Sequence, residues 1–292
     1  MPPGNSIILE FRRITDDASP ALLENLIRFE AVHKMRSWRE LQRRLKSDRR
    51  CYGLFEPGLP EAPVVFTEAA LTTEVSGRVQ PILDPDSPVL NPRACDTAIF
   101  YSISNCHEGF RGMGLGGTLI QKSVESLCAE LSQLRTFATL SPIPGFREWL
   151  EGVAKRDRKY GGLVDVLADD KWVGQPALLR ILKRQLIPLC SFYLLYARRG
   201  TQPADAVARF HLGNGARLER VNWLGDVSEA GLRRSVGLAA NYRYSLKELQ
   251  RNQESYVAKG TIAASRRVER LATLASSEGR EPVLDYRQFG VN

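Results

Sequence analysis

The feature that most constrains this fold is a glycine-rich turn set between an apolar strand and a long helix. Residues 97–104 (TAIFYSIS) are β-branched and aromatic and read as a strand. Gly109-Phe110-Arg111-Gly112-Met113-Gly114-Leu115-Gly116-Gly117 follows. Residues 114–132 then read as a helix, with Leu115, Leu119, Val124, Leu127 and Leu131 at apolar positions. Residues 135–140 form the next strand, stopped by Ser141-Pro142-Ile143-Pro144-Gly145. The order strand, glycine loop, helix, strand, followed by another helix and strand, implies an α/β sheet with crossover helices.

The remaining pattern fits around this unit. Residues 19–33 read as a helix opened by Ser19 and Pro20, and 37–48 as a second one capped by Ser37, with Trp38, Leu41 and Leu45 on one face. Residues 51–55 and 64–71 are short apolar runs bounded by Pro and Gly, hence strands, and 76–96 is a loop rich in Pro, Asp and Asn. Residues 146–202 are helical with loops; within them 186–197 is a buried helix kinked or begun at Pro188. A helix over 203–211 starts at Pro203 and is ended by Gly213-Asn214-Gly215; 217–223 is a strand and 259–276 a polar amphipathic helix. Trp38, Trp149, Trp172 and Trp223 are assigned to packing, and His33 and His107 to a helix end and a loop.

Composition narrows the function. Lys and Arg number 41 against 33 acidic residues, a net charge of +8, which attracts anions. The basic residues are dispersed and no aromatic-interleaved basic stretch exists, so nucleic acid is not the expected partner and an anionic metabolite is. No stretch approaches the ~18 uncharged apolar residues that span a bilayer, so no membrane role is expected. Five cysteines without CxxC spacing and only three histidines leave no zinc-site pattern, and no metal is expected. Residues 1–17 lack a secretory pattern, Asp16 and Asp17 argue against a transit peptide, and the terminal QFGVN is not a peroxisomal signal; the cytosol is the expected location.

The glycine loop has its own chemistry. Glycines let backbone approach a ligand and aim N–H groups inward, and a helix N-terminus adds a positive dipole end, so the segment suits a pyrophosphate. No Gly-Lys-Ser/Thr follows, which excludes a P-loop; Gly112, Gly114 and Gly117 spell Gly-x-Gly-x-x-Gly, but no acidic residue ends the following strand as a dinucleotide site requires. Arg111, Gly114 and Gly116 also fit Arg-x-x-Gly-x-Gly, which resembles the coenzyme A pyrophosphate motif of the GNAT acetyltransferase superfamily. On the residues alone, a structural glycine turn remains the alternative.

Longer strings carry a closer resemblance: Phe29-Glu30-Ala31-Val32-His33, residues 98–104, Leu140-Ser141-Pro142-Ile143-Pro144-Gly145-Phe146, Arg209-Phe210-His211-Leu212-Gly213-Asn214-Gly215-Ala216, and Asn241-Tyr242-Arg243-Tyr244. Together they resemble the malonyl-CoA decarboxylase family, and the resemblance covers residues 29–256. The resemblance implies a GNAT-like mixed sheet with crossover helices and a helical insertion, preceded by a short helical N-terminal segment. It implies residues 1–33 as the remnant of a helical N-terminal region and 34–292 as the catalytic domain. Ser141 and His211 carry over as the catalytic pair and Tyr244 as a supporting residue. Arg111, Gly112, Met113, Gly114, Leu115, Gly116 and Gly117 carry over as the coenzyme A site. The implied reaction converts malonyl-CoA to acetyl-CoA and CO2 without metal or organic cofactor. A homo-oligomer is compatible with the resemblance.

Such chemistry needs a group to hold the departing carboxylate, a donor to the thioester oxygen and a proton for carbon. Ser141 is expected to do the first, and His211, with a pKa near neutrality, the others. Read by themselves, Ser141 is a strand-ending serine and His211 a dipole-favoured helix-end histidine. An acyltransferase with the same coenzyme A cradle and a non-catalytic coenzyme A-binding domain are the competing functions.

Overall fold

The computed structural model describes residues 8–110, 113–168 and 170–277, and the chain divides into two compact units, Met1–Thr139 and Leu140–Asn292. In the first unit, strand β1 (Glu10–Ile14) is followed by helices α1 (Pro20–Phe29) and α2 (Trp38–Arg44), then by strands β2 (Arg49–Phe55) and β3 (Pro63–Thr72). A single-turn helix α3 (Gln80–Leu83) leads to β4 (Thr97–Asn105), α4 (Leu115–Glu130) and β5 (Thr136–Thr139). The strands lie in the order β1-β2-β3-β4-β5. Neighbours up to β4 are antiparallel, and β4 pairs parallel with β5, Thr97 opposite Thr136. The sheet is therefore mixed, and α4 is the crossover that its parallel pair requires. Helix α4 buries Leu119, Ile120, Val124 and Leu127 against β2 and β3.

Local chemistry explains where these elements start and stop. Ser19 caps α1, its Oγ accepting from Leu22 N–H at 3.2 Å, with Pro20 at the first position. The helix expected over 19–33 stops at Phe29 because Glu30 turns extended, and its carboxylate accepts the N–H groups of Val32 (2.9 Å) and His33 (2.7 Å). The helix expected over 37–48 stops at Arg44, beyond which buried Asp48 binds the guanidinium groups of Arg43 and Arg49. The 76–96 loop contains α3 and a 3-10 turn (Pro92–Ala94). Trp38 is 45% exposed and packs only in part, at a cleft that Leu23, Leu41 and Leu45 also line. Within the N-terminal segment expected to be helical, residues 20–29 form α1 but residues 10–14 form an edge strand, with Phe11 stacked on Tyr52 at 5.2 Å.

The second unit begins with β6 (Ser141–Pro142), α5 (Phe146–Arg156), α6 (Gly161–Val166) and the long α7 (Pro176–Tyr196). The buried helix expected at Pro188 starts at Pro176 and runs through Pro188. A hairpin of β7 (Arg198–Arg199) and β8 (Gln202–Pro203) precedes α8 (Ala206–Gly213). Then come β9 (Arg217–Asn222), α9 (Glu229–Ser235), β10 (Ala239–Tyr244), α10 (Leu249–Lys259) and α11 (Arg266–Ser277). Strand β10 pairs antiparallel with both β9 and β6. The helix read from Pro203 starts at Ala206, because Asp205 provides the cap and Pro203 belongs to β8. The tail helix read over 259–276 starts at Arg266 as α11, and α10, which ends at Lys259 before Gly260, is a separate helix that the pattern does not indicate. Helix α11 packs along α7 and β9. No helix among the described residues is long and apolar enough to cross a membrane.

Candidate functional site

Strand β10 is the scaffold of the site. Its alternate residues Ala240, Tyr242 and Tyr244 share one face. Ala240 stands opposite Ser141 in the β10–β6 register. Two residues along, the Tyr242 ring stacks on the His211 imidazole, with centroids 4.6 Å apart and planes 25° apart. Two further along, Tyr244 Oη lies 2.8 Å from His211 Nδ1. His211 enters from α8, two residues before the end of that helix, and its Nε2 is 2.9 Å from Ser141 Oγ. Two paired strands, β6 and β10, and helix α8 thus assemble a hydrogen-bonded chain, Ser141–His211–Tyr244, whose members are all buried.

Burial sets the protonation state. It pushes the His211 imidazole down to about 3 and the Tyr244 phenol well up, because the charged form of each is desolvated. His211 is therefore a neutral imidazole at physiological pH, which corrects the expectation of a pKa near neutrality. Neutral imidazole has one N–H and one lone pair, so one hydroxyl donates to it and the other accepts from it. Both ring nitrogens are engaged by protein hydroxyls, so His211 communicates with anything beyond Ser141 by way of Ser141.

The glycine loop belongs to the first unit. Arg111 and Gly112 lie outside the described residues. Met113 is 59% exposed, and Gly114 adopts φ +74° at the N-cap of α4. Only glycine holds that conformation cheaply. A Cβ on Gly114 would meet nothing within 4 Å, so the need for glycine is conformational rather than a matter of space. Leu115, Gly116 and Gly117 form the first turn of α4, whose cap provides no side-chain acceptor. The N–H of Gly117 returns to the Gly114 carbonyl at 3.0 Å, and those of Leu115 and Gly116 head the helix, the end whose dipole favours an anion.

Asp205 escaped the sequence reading. It is 1% exposed, its Oδ1 caps α8 by accepting from Val207 and Ala208 N–H (2.9 Å each), and its Oδ2 accepts from Gly145 N–H at 3.3 Å. An acidic residue two positions after a helix-opening proline was the available signal. The five cysteines are all unpaired, and among the described residues no group of three His, Cys, Asp or Glu side chains is arranged to hold a metal.

A buried serine–histidine–tyrosine chain beside a two-residue strand is a hydrogen-bonded cluster able to pass a proton. The family profile described as "Malonyl-CoA decarboxylase C-terminal domain" matches residues 7–281, ahead of the boundary at residue 34 read from the sequence, and the chain belongs to that family. It is 34% identical over 286 residues to the protein named "Malonyl-CoA decarboxylase, mitochondrial" of Anser anser anser, covering 89% of this chain and 57% of that one. The structure is similar to that of a malonyl-CoA decarboxylase from Agrobacterium vitis, with TM-score 0.85 and 41% identity, covering 90% of this chain and 67% of that one. A second, from Rhodopseudomonas palustris, gives TM-score 0.85 at 39% identity, covering 90% and 66%. The chain spans 57–61% of the length of the curated relatives.

Proposed function

We propose that this chain decarboxylates malonyl-CoA to acetyl-CoA and CO2, with Ser141, His211 and Tyr244 handling the proton and the α4 glycine turn binding coenzyme A as in GNAT-type proteins. The observation that carries the proposal is the Ser141–His211–Tyr244 hydrogen-bonded chain, with 2.9 and 2.8 Å links, inside a domain of this family.

Loss of CO2 leaves the C–C bonding pair on the carbon next to the thioester, delocalised onto its oxygen as an enolate. The thioester is itself the electron sink, so the proposal includes no metal or organic cofactor. One proton must then reach carbon. With Nε2–H directed at Ser141 and the Tyr244 hydroxyl donating to Nδ1, the Ser141 hydroxyl delivers a proton, His211 replaces it, and Tyr244 replenishes the imidazole. Water finally restores the single proton that the reaction consumes. In this reading Ser141 meets the substrate and His211 stands one step behind it, rather than His211 donating directly to the thioester oxygen. A net charge of +8 suits an anionic thioester. We place the protein in the cytosol, and its five unpaired thiols support a reducing compartment; the curated relatives are named as mitochondrial.

The same 2.9 Å Ser–His contact also has the geometry of a nucleophile and its base, which would favour acyl transfer from coenzyme A. An imidazole held down to about 3 is a weak base, however, and decarboxylation needs none. Mass spectrometry of malonyl-CoA incubated with the purified chain and no acceptor separates the readings. Acetyl-CoA is the expected product; free coenzyme A with malonate, or unchanged substrate, refutes the decarboxylase.

A further inference from the structure

We propose that the buried carboxylate of Asp205 is a positioning residue that ties the segment carrying Ser141 to the helix carrying His211 and so sets their separation. The proposal rests on the reading of Ser141 and His211 given above. Asp205 Oδ1 closes the first turn of α8 through Val207 and Ala208 N–H, and His211 lies further along that helix. Its Oδ2 faces the other way. It accepts from Gly145 N–H (3.3 Å), at the end of the rigid Ser141-Pro142-Ile143-Pro144-Gly145 turn, and from Tyr193 Oη (3.5 Å) on α7.

Capping alone does not explain this residue. Serine and asparagine cap a helix as well as aspartate does and bring no charge. A carboxylate 1% exposed, with no ion pair among the described residues, is a costly choice; burial pushes its carboxyl up, and the backbone N–H groups of Gly145, Val207 and Ala208 oppose that shift. What aspartate adds to a cap is the second oxygen, and that oxygen is spent on the Ser141 segment. The surroundings are built to the same point. A Cβ on Gly145 would come within 2.4 Å of Tyr193 Oη, so only glycine lets the turn reach the carboxylate. The Tyr193 ring is in turn held by Phe146 (5.8 Å) and Trp149 (5.2 Å). Turn, α7 and α8 therefore meet on one carboxylate, and the 2.9 Å Ser141–His211 contact lies between the two segments it joins.

Asp205→Asn tests this directly. The amide retains the capping oxygen but presents N–H to the N–H of Gly145, so the cap survives and the tie is lost. Expected are a fall in kcat of about 100-fold, the size of an ~1 Å misplacement, at a KM for malonyl-CoA within twofold of the parent, and displaced 15N signals of the His211 ring. Ser228→Ala is the control: it removes the α9 cap, a 3.1 Å bond to Gly231 N–H, and is expected to cost stability without changing kcat. Parent-like kcat and parent-like His211 signals in Asp205→Asn would overturn the proposal, as would an equal loss of kcat in Ser228→Ala. If Asp205→Asn does not fold, Tyr193→Phe removes one donor from the same oxygen: a lower kcat at unchanged KM supports the tie, and a parent-like kcat overturns it. The ring signals are read without turnover, so failure of the parent to make acetyl-CoA would sink the decarboxylase and leave the tie to be judged by NMR.

Discussion

The relay from Tyr244 through His211 to Ser141 makes a quantitative demand on a double-mutant cycle. His211 Nδ1 is taken by Tyr244 at 2.8 Å, which leaves Nε2, 2.9 Å from Ser141, as the outlet. Ser141→Ala and His211→Ala therefore interrupt the same route. Losing one preorganised donor costs ~2.7–4 kcal/mol of transition-state stabilisation, so each single variant is expected to lose about 100–1,000-fold in kcat. Groups acting as one unit do not lose twice, so the double variant is expected to match the worse single variant; two independent donors would multiply to about 10,000–1,000,000-fold. The coupling energy is then about one donor's full contribution. The assay is the initial rate of acetyl-CoA formation at saturating malonyl-CoA, read by chromatography. Near-UV circular dichroism must accompany it, because His211→Ala unstacks Tyr242, and Ser141→Ala leaves Nε2 without its partner at ~1–3 kcal/mol of stability. Multiplicative losses in the double variant, or full activity in His211→Ala, would refute the relay.

Two further perturbations probe the first unit. Gly114→Ala forces a Cβ into φ +74°, costing ~1–2 kcal/mol at the α4 cap with no steric clash; weaker coenzyme A binding by calorimetry and a raised KM at unchanged kcat are expected, and unaltered binding would remove the glycine turn from the proposed coenzyme A site. The second concerns Glu68 on β3, which burial chiefly, and Glu30 with it, pushes up to about 7 despite its 2.8 Å bond to Arg44. Its folded-state pKa lies above the ordinary carboxyl value, so the folded state holds more protons between pH 4.5 and 7, and this contribution to stability is lost as pH rises through that window. His211, pushed down from 6.5 to about 3, acts oppositely and costs stability as pH falls across that range. Glu68→Gln removes only the first effect. The slope of unfolding free energy against pH between 4.5 and 7 should become more positive by up to ~1.4 kcal/mol per pH unit in urea titrations, and a parent-like slope would refute it.

What the sequence disclosed divides by range along the chain. The run from β4 through α4 to β5 was legible because each step is local: a β-branched run, a glycine turn, a helical period. Strand β1 escaped because Phe-Arg-Arg-Ile reads as polar, and its place in the sheet depends on Phe11, opposite Leu54 of β2, stacking diagonally on Tyr52. Strand β6 has two residues and exists only because Ala240 and Ala239 pair with it. The site joins residues 70 and 33 positions apart, Ser141 to His211 and His211 to Tyr244, a separation that no periodicity encodes; only the family strings brought these residues together in advance. Even those strings carry no information on burial. A histidine at a helix end is expected to titrate near neutrality, and the ring of Tyr242, laid flat against His211, helps keep water away and lowers that value. The consequence is chemical. In the proposed reaction a neutral, doubly engaged imidazole is no stored acid; its part is to pass a proton between the hydroxyls on either side of it, so His211 depends on Ser141 and Tyr244 as much as they depend on it.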